Sequence, residues 1–302
     1  MKLYIAGLAV SHFTFGGTIF RKCSPNVQAL RAEVSYYLES YHYIHKGKYV
    51  KNIQADGHKI FLDSGAFSSF SLGVEVNIQK YAEFVKEHQD IIEMASVLDA
   101  IGDPVGTYHN QNTLERLGAP VLPCFHYGEP WDLAEYYVRN YDYITIGGMV
   151  PIPNQKLEPW LDELWDRVLT DKDGYSRIKI HGFGLTSRVL MEKYPWYSCD
   201  SSSWVQAASN GSIVLPEFNR KISISSRSPN RKDFGQHFNT MPPSAQQAVI
   251  ERLEYYGLTL EDVQEDYKPR WALNAFTYDR LGRILGEDHW RKPFTAKQPL
   301  LF

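Results

Sequence analysis

Residues 143–169, YITIGGMVPIPNQKLEPWLDELWDRVL, contain one complete structural unit. Tyr143–Ile146 is a short apolar run that does not alternate, the pattern of a strand buried on both faces. Gly147 and Gly148 interrupt it. Leu157, Trp160, Leu161, Leu164, Trp165, Val168 and Leu169 then recur at spacings of three and four, which places every apolar side chain on one face of a helix. Strand, loop and amphipathic helix in that order make a βα unit.

The same rhythm extends along the chain in both directions. Further strand candidates are Leu3–Val10, Lys59–Leu62, Met94–Leu98, Val121–Phe125, Arg177–Ile180, Trp196–Cys199 and Lys221–Ser225, making eight with Tyr143–Ile146. Helices are expected near Val27, near Asn77 and near Trp131. Eight apolar strands separated by helices predict an α/β fold, a TIM-like (β/α)8 barrel, with a doubly wound open sheet as the alternative. From residue 234 the pattern is helical, with Pro242 and Pro243 opening one helix and Thr259 to Asp262 spaced as a capping box for another. The expected organisation is a catalytic barrel over residues 1–233 and a helical appendage over 234–302, packed on the barrel.

Composition narrows the function classes. The 302 residues are 43% hydrophobic and 22% charged, an ordinary globular balance. Met1–Val10 is apolar but too short for a membrane span, and reads as a first strand. Cys23, Cys124 and Cys199 are too few and scattered for a disulfide scaffold, and no C-x-x-C or C-x-C pair offers a zinc site. A cytoplasmic setting is expected. A net charge of −3 argues against coating nucleic acid through bulk electrostatics. A local basic run remains, with Arg220, Lys221, Arg227, Arg231 and Lys232 free of acidic neighbours until Asp233.

Barrels gather functional groups where strands end. Counting strands as above, the second ends in Asp63-Ser64-Gly65-Ala66-Phe67, the third in Asp99-Ala100-Ile101-Gly102-Asp103 and the fourth in His126-Tyr127-Gly128. The fifth ends in Gly147-Gly148-Met149, the sixth in His181-Gly182-Phe183-Gly184 and the seventh in Asp200-Ser201-Ser202-Ser203-Trp204. Each has an ordinary reading: Asp before Ser or Gly is commonly a turn or cap, and a lone His commonly a hydrogen-bonding pocket residue. Their convergence on one mouth favours a site. Paired carboxylates suit glycosidic chemistry, one attacking the anomeric carbon while the other exchanges a proton with the leaving group. Phe67, Tyr127 and Trp204 are candidates to stack on a base.

These residues resemble the queuine and archaeosine tRNA-guanine transglycosylases, and within that superfamily the DpdA-like DNA 7-deazaguanine transglycosylases of phages and bacteria. Leu62-Asp63-Ser64-Gly65-Ala66-Phe67 looks like that family's D-S-G-G-F, Ile146-Gly147-Gly148-Met149 like its I-G-G-L, and Gly182-Phe183-Gly184 like its G-V-G. Asp200-Ser201-Ser202-Ser203-Trp204 resembles the nucleophile segment, and the motif order covers roughly Leu3–Gly211. The resemblance implies Asp200 as nucleophile and Asp63 as acid/base. It implies Asp99, Phe67, Ser64, His126, Gly147, Gly148, Met149 and His181 around the base.

The family's cysteine and histidine zinc site has no counterpart, since no cysteine follows Cys199, so neither metal nor cofactor is expected. Gln206 and Ser209 stand where bacterial tRNA enzymes carry arginines, which leaves the basic run as the candidate phosphate contact. The expected reaction is exchange of guanine in DNA for a 7-deazaguanine base, 7-cyano-7-deazaguanine (preQ0) foremost, in a bacterial cell or phage-infected host. The alternatives are the same exchange on tRNA, a metal-dependent barrel hydrolase using His126, His181 and Asp200, and a catalytically silent nucleic-acid binding subunit.

Overall fold

The computed structural model describes the chain except residue 186, residue 216 and residues 218–220, 229–234 and 296–302. Its centre is one sheet of eight parallel strands: β1 Lys2–Ala6, β2 Tyr37–Ser40, β3 Ile60–Asp63, β4 Ile92–Ala95, β5 Cys124–His126, β6 Tyr143–Gly147, β7 Lys179–Gly182 and β8 Ser198–Ser201. The order β4-β3-β2-β1-β8-β7-β6-β5 curls the sheet so that β4 and β5 meet. They join through a parallel bridge from Ser96 to Leu122, with the Leu122 N–H donating to the Ala95 carbonyl at 2.8 Å. Helices alternate with the strands, so the (β/α)8 architecture is the one expected. Every residue of β6 and β8 is buried, which accounts for their lack of alternation.

Two strand assignments change. Lys221–Ser225 is not a barrel strand: Lys221–Ser223 pairs antiparallel with Ser212–Val214 in a separate two-stranded sheet. The barrel strand missing from the sequence reading is β2, whose Glu39 breaks the apolar run although it is 1% exposed. Asp63 therefore ends the third strand and Asp200 lies in the eighth.

Local signals elsewhere match the elements. Asn77 caps the helix Ile78–Glu87 by accepting the Lys80 N–H, and Asn154–Leu164 carries the apolar stripe into a π-helical turn over Trp165–Leu169. Thr259 and Asp262 form the anticipated capping box. The last long helix, Tyr267–Leu285, lies on the barrel. Asn274 donates to the carbonyls of Trp204 and Ser212 at 3.1 and 3.2 Å and accepts the Val214 N–H at 2.8 Å. Ala272, Leu273 and Ala275 belong to the same buried cluster as Leu3 and Ile5 of β1. Among the described residues no helix is long and apolar enough to cross a membrane.

Candidate active site at the mouth of the barrel

Asp63 is the last residue of β3, and the chain turns sharply behind it. Gly65 adopts φ +74°, and a Cβ there would lie 2.6 Å from the His42 Cβ and 2.7 Å from the Ser40 Oγ, so only glycine fits. The turn points the Gly65 N–H back at Asp63 Oδ2, 3.0 Å away. Burial, the negative charge of Asp99 and the more weakly felt charge of Asp200 together push the Asp63 carboxyl up to about 7, against that hydrogen bond. Three carboxyl groups, two from strands and Asp99 from the loop after β4, thus share one field.

Asp200 is 7% exposed and held from two sides. Its Oδ1 accepts the Gly184 N–H at 2.7 Å and lies 3.4 Å from His181 Nε2. His181 is completely buried, its Nδ1 sharing a 2.7 Å hydrogen bond with Ser198 Oγ, which lies 2.6 Å from the Tyr143 hydroxyl. Burial lowers the affinity of His181 for a second proton, and the Asp200 carboxylate only partly offsets it. A neutral imidazole therefore backs the nucleophile candidate. Phe61 and Phe183 hold the ring, with centroids at 4.5 and 4.7 Å.

Across the mouth, His126 is bracketed by carboxylates. Its Nδ1 lies 3.0 Å from Glu129 Oε1, its backbone N–H donates to Glu129 Oε2 at 2.9 Å, and its Nε2 is 3.4 Å from Asp99 Oδ1. Burial alone would lower the His126 pKa; the Cys124 sulfur and the Asp99 and Glu129 carboxylates outweigh it and raise the pKa strongly.

The fold thus brings Asp63, Asp200, His126, Gly147 and His181, on strands, and Asp99, on the loop after β4, to one end of the barrel. The other candidates are distributed around them. Phe67 stands 69% exposed on the first turn of the helix Ala66–Ser71. Ser64 and Met149 are buried beneath the surface, and Gly148 turns the chain after β6 at φ +69°. Trp204 belongs to the core, its Nε1 donating to the Ala6 carbonyl at 2.8 Å and its ring stacked on Phe13. Of the basic run, Lys221 and Arg227 are exposed, whereas Arg220, Arg231 and Lys232 lie outside the described residues.

The sequence reading passed over Glu129, Ser198, Tyr143 and Cys124. Only Cys124 carried a usable signal: it stands two residues before His126, and side chains at that spacing share one face of a strand. Asp99, Cys124 and His126 offer ligand atoms within 4.8 Å of one another, an arrangement that could hold a metal ion. Neither a family model nor a curated protein matches the chain.

Proposed function

We propose that this chain is a DNA-guanine transglycosylase that exchanges guanine in DNA for a 7-deazaguanine base, preQ0 foremost, through a covalent aspartyl-glycosyl intermediate. The observation that carries the reading is the contrast between two carboxyl groups at one mouth. Asp200 is fixed by the Gly184 N–H, while Asp63 holds a proton to near neutrality.

In the proposed reaction Asp200 Oδ attacks C1′ of the target nucleotide as the C1′–N9 bond breaks, and Asp63 gives its proton to the departing guanine. The incoming base then returns a proton to Asp63, and its N9 displaces Asp200 from C1′. Both steps conserve charge and need no oxidant or reductant. The target nucleotide must leave the duplex to reach such a mouth. Phe67 and Phe70, exposed by 69% and 66%, supply aromatic surface beside it.

The deciding experiment offers labelled preQ0 with duplex DNA, single-stranded DNA and tRNA in parallel. Incorporation into either form of DNA supports the proposal. Incorporation only into tRNA transfers the same chemistry to another polymer, and none into any polymer overturns it.

A pH profile tests the acid. Asp63 must be protonated for guanine release, so kcat/KM for that half-reaction is expected to fall as pH rises through about 7. Asp63→Asn is expected to lose roughly 100- to 1,000-fold in rate, within the usual reach of a general acid, and to flatten that limb. Stability separates this loss from unfolding. Because the folded state keeps the Asp63 proton to a higher pH than an unfolded carboxyl does, ionisation costs wild-type stability as pH rises toward about 7. Asp63→Asn removes that cost, so its stability relative to wild type should improve with pH. An unchanged rate with an unchanged profile would remove Asp63 from the mechanism.

A further inference from the structure

From Asp99, Cys124 and His126 we infer a three-ligand site for a zinc-class divalent cation in the barrel wall, which goes beyond the exchange reaction. Cys124 and His126 alternate on β5 and face the same side, and the bridge from Ser96 to Leu122 brings the loop carrying Asp99 beside them. His126 Nε2 is 3.5 Å from Cys124 Sγ and 3.4 Å from Asp99 Oδ1. A tetrahedral cation with ordinary Zn–S, Zn–N and Zn–O bond lengths holds its ligand atoms about 3.3 to 3.7 Å apart. The 3.4 Å separation is also longer than a good N–H···O hydrogen bond.

Three further observations point to a ligand. First, Asp99 Oδ1 is enclosed, and apart from its long 3.4 Å ion-pair contact with His126 Nε2 no hydrogen bond closes on it among the described residues. Second, Glu129 occupies the other ring nitrogen of His126: Nδ1 lies 3.0 Å from its Oε1, and its side chain is 8% exposed. With Nδ1–H donating to Glu129, a cation that displaces the Nε2 proton would find that nitrogen facing Cys124 and Asp99, the carboxylate–histidine arrangement that outer shells impose on metal-binding imidazoles. Third, β6 leaves room at the cluster. A Cβ on Gly147 would lie 2.9 Å from His126 Cδ2 and 3.0 Å from Cys124 Sγ, inside the space the ligand groups occupy.

One thiolate, one imidazole and one carboxylate suit a borderline cation such as Zn2+, with a fourth position left for water or substrate. The test uses the full chain and Co2+ as probe. Equilibrium dialysis is expected to load one Co2+ per chain and to produce a thiolate-to-cobalt absorption band. Cys124→Ser should abolish the band while Cys23→Ser and Cys199→Ser keep it. Glu129→Gln, which leaves all three ligands in place, should weaken Co2+ binding roughly 10- to 100-fold.

Absence of stoichiometric Co2+, a band that survives Cys124→Ser, or full affinity in Glu129→Gln would each overturn the site. Circular dichroism of each variant separates loss of ligand from loss of fold. No nucleic acid enters these measurements, so their failure leaves the exchange reaction standing, and a protein that exchanges no base can still bind the metal.

Discussion

Asp200→Ala is expected to lower base exchange by about 10,000-fold or more, the scale on which removing a covalent nucleophile disables an enzyme. The protein should nevertheless remain folded. The losses in the native structure are the acceptor for the partly buried Gly184 N–H, now 2.7 Å from Oδ1, and the 3.4 Å contact with His181 Nε2, and stranding such a donor costs about 1–3 kcal/mol at most. Removing a charge that Asp63 feels offsets part of it. A second measurement separates nucleophile from bystander. Wild-type protein given target DNA without an incoming base should accumulate a protein–DNA adduct stable to detergent, and Asp200→Ala should form none. Asp63→Asn should still form some, slowly, since it keeps the attacking carboxylate. A tenth or more of wild-type exchange in Asp200→Ala, or an adduct in that variant, would remove Asp200 from the role.

His181 extends the same prediction to a positioning residue. Fully buried behind Asp200, it reaches the reaction only through that carboxylate. His181→Gln should therefore lower the rate of adduct formation more than it weakens DNA binding, a split that simple loss of packing would not produce.

Much of this was legible in the sequence because a parallel barrel imposes a strict rule: strands are buried on both faces, and their ends share one mouth. Seven of the eight expected apolar runs are barrel strands, and the gathering of Asp63, Asp99, Asp200, His126 and His181 at one end follows from that topology. The omission of β2 has a definite cause. Its segment is Tyr-Leu-Glu-Ser, and Glu39 stands in the buried wall with its Oε1 accepting the Ala9 N–H at 2.6 Å. Burial pushes that carboxyl up to about 8, so it folds as a neutral, hydrogen-bonding group. No hydropathy pattern distinguishes such a residue from a solvent-facing one.

Lys221–Ser225 failed in the opposite sense. Ile222 and Ile224 are buried as a strand requires, but the partner strand Ser212–Val214 lies close in sequence, and a local antiparallel pairing forms instead. Side-chain partners such as Glu129 for His126, or Ser198 and Tyr143 behind His181, are tertiary facts that spacing does not encode.

Arg31→Met is expected to destabilise the fold by about 3–5 kcal/mol, the cost of leaving a buried charge without its partner. Arg31 and Asp56 are both wholly enclosed, 3.2 Å apart. The guanidinium also donates to the Phe13 carbonyl at 2.8 Å and the Tyr37 hydroxyl at 2.9 Å, while Asp56 accepts the Phe15 N–H. This one group ties the loop after β1 to β2 and to the helix Gly47–Asp56, in the half of the barrel that carries Asp63. Burial already raises the Asp56 pKa against the pull of Arg31, and without Arg31 it should rise further. A folded carboxyl with a raised pKa makes the protein lose stability as pH increases between the unfolded and folded values. The deficit of Arg31→Met, read from urea midpoints, should therefore be larger at pH 8 than at pH 5. Asp56→Asn in the same background should restore part of it by removing the charge. A deficit below about 1 kcal/mol would contradict the claim that burial sets the cost. So would a deficit independent of pH, since the stranded carboxylate is its stated cause.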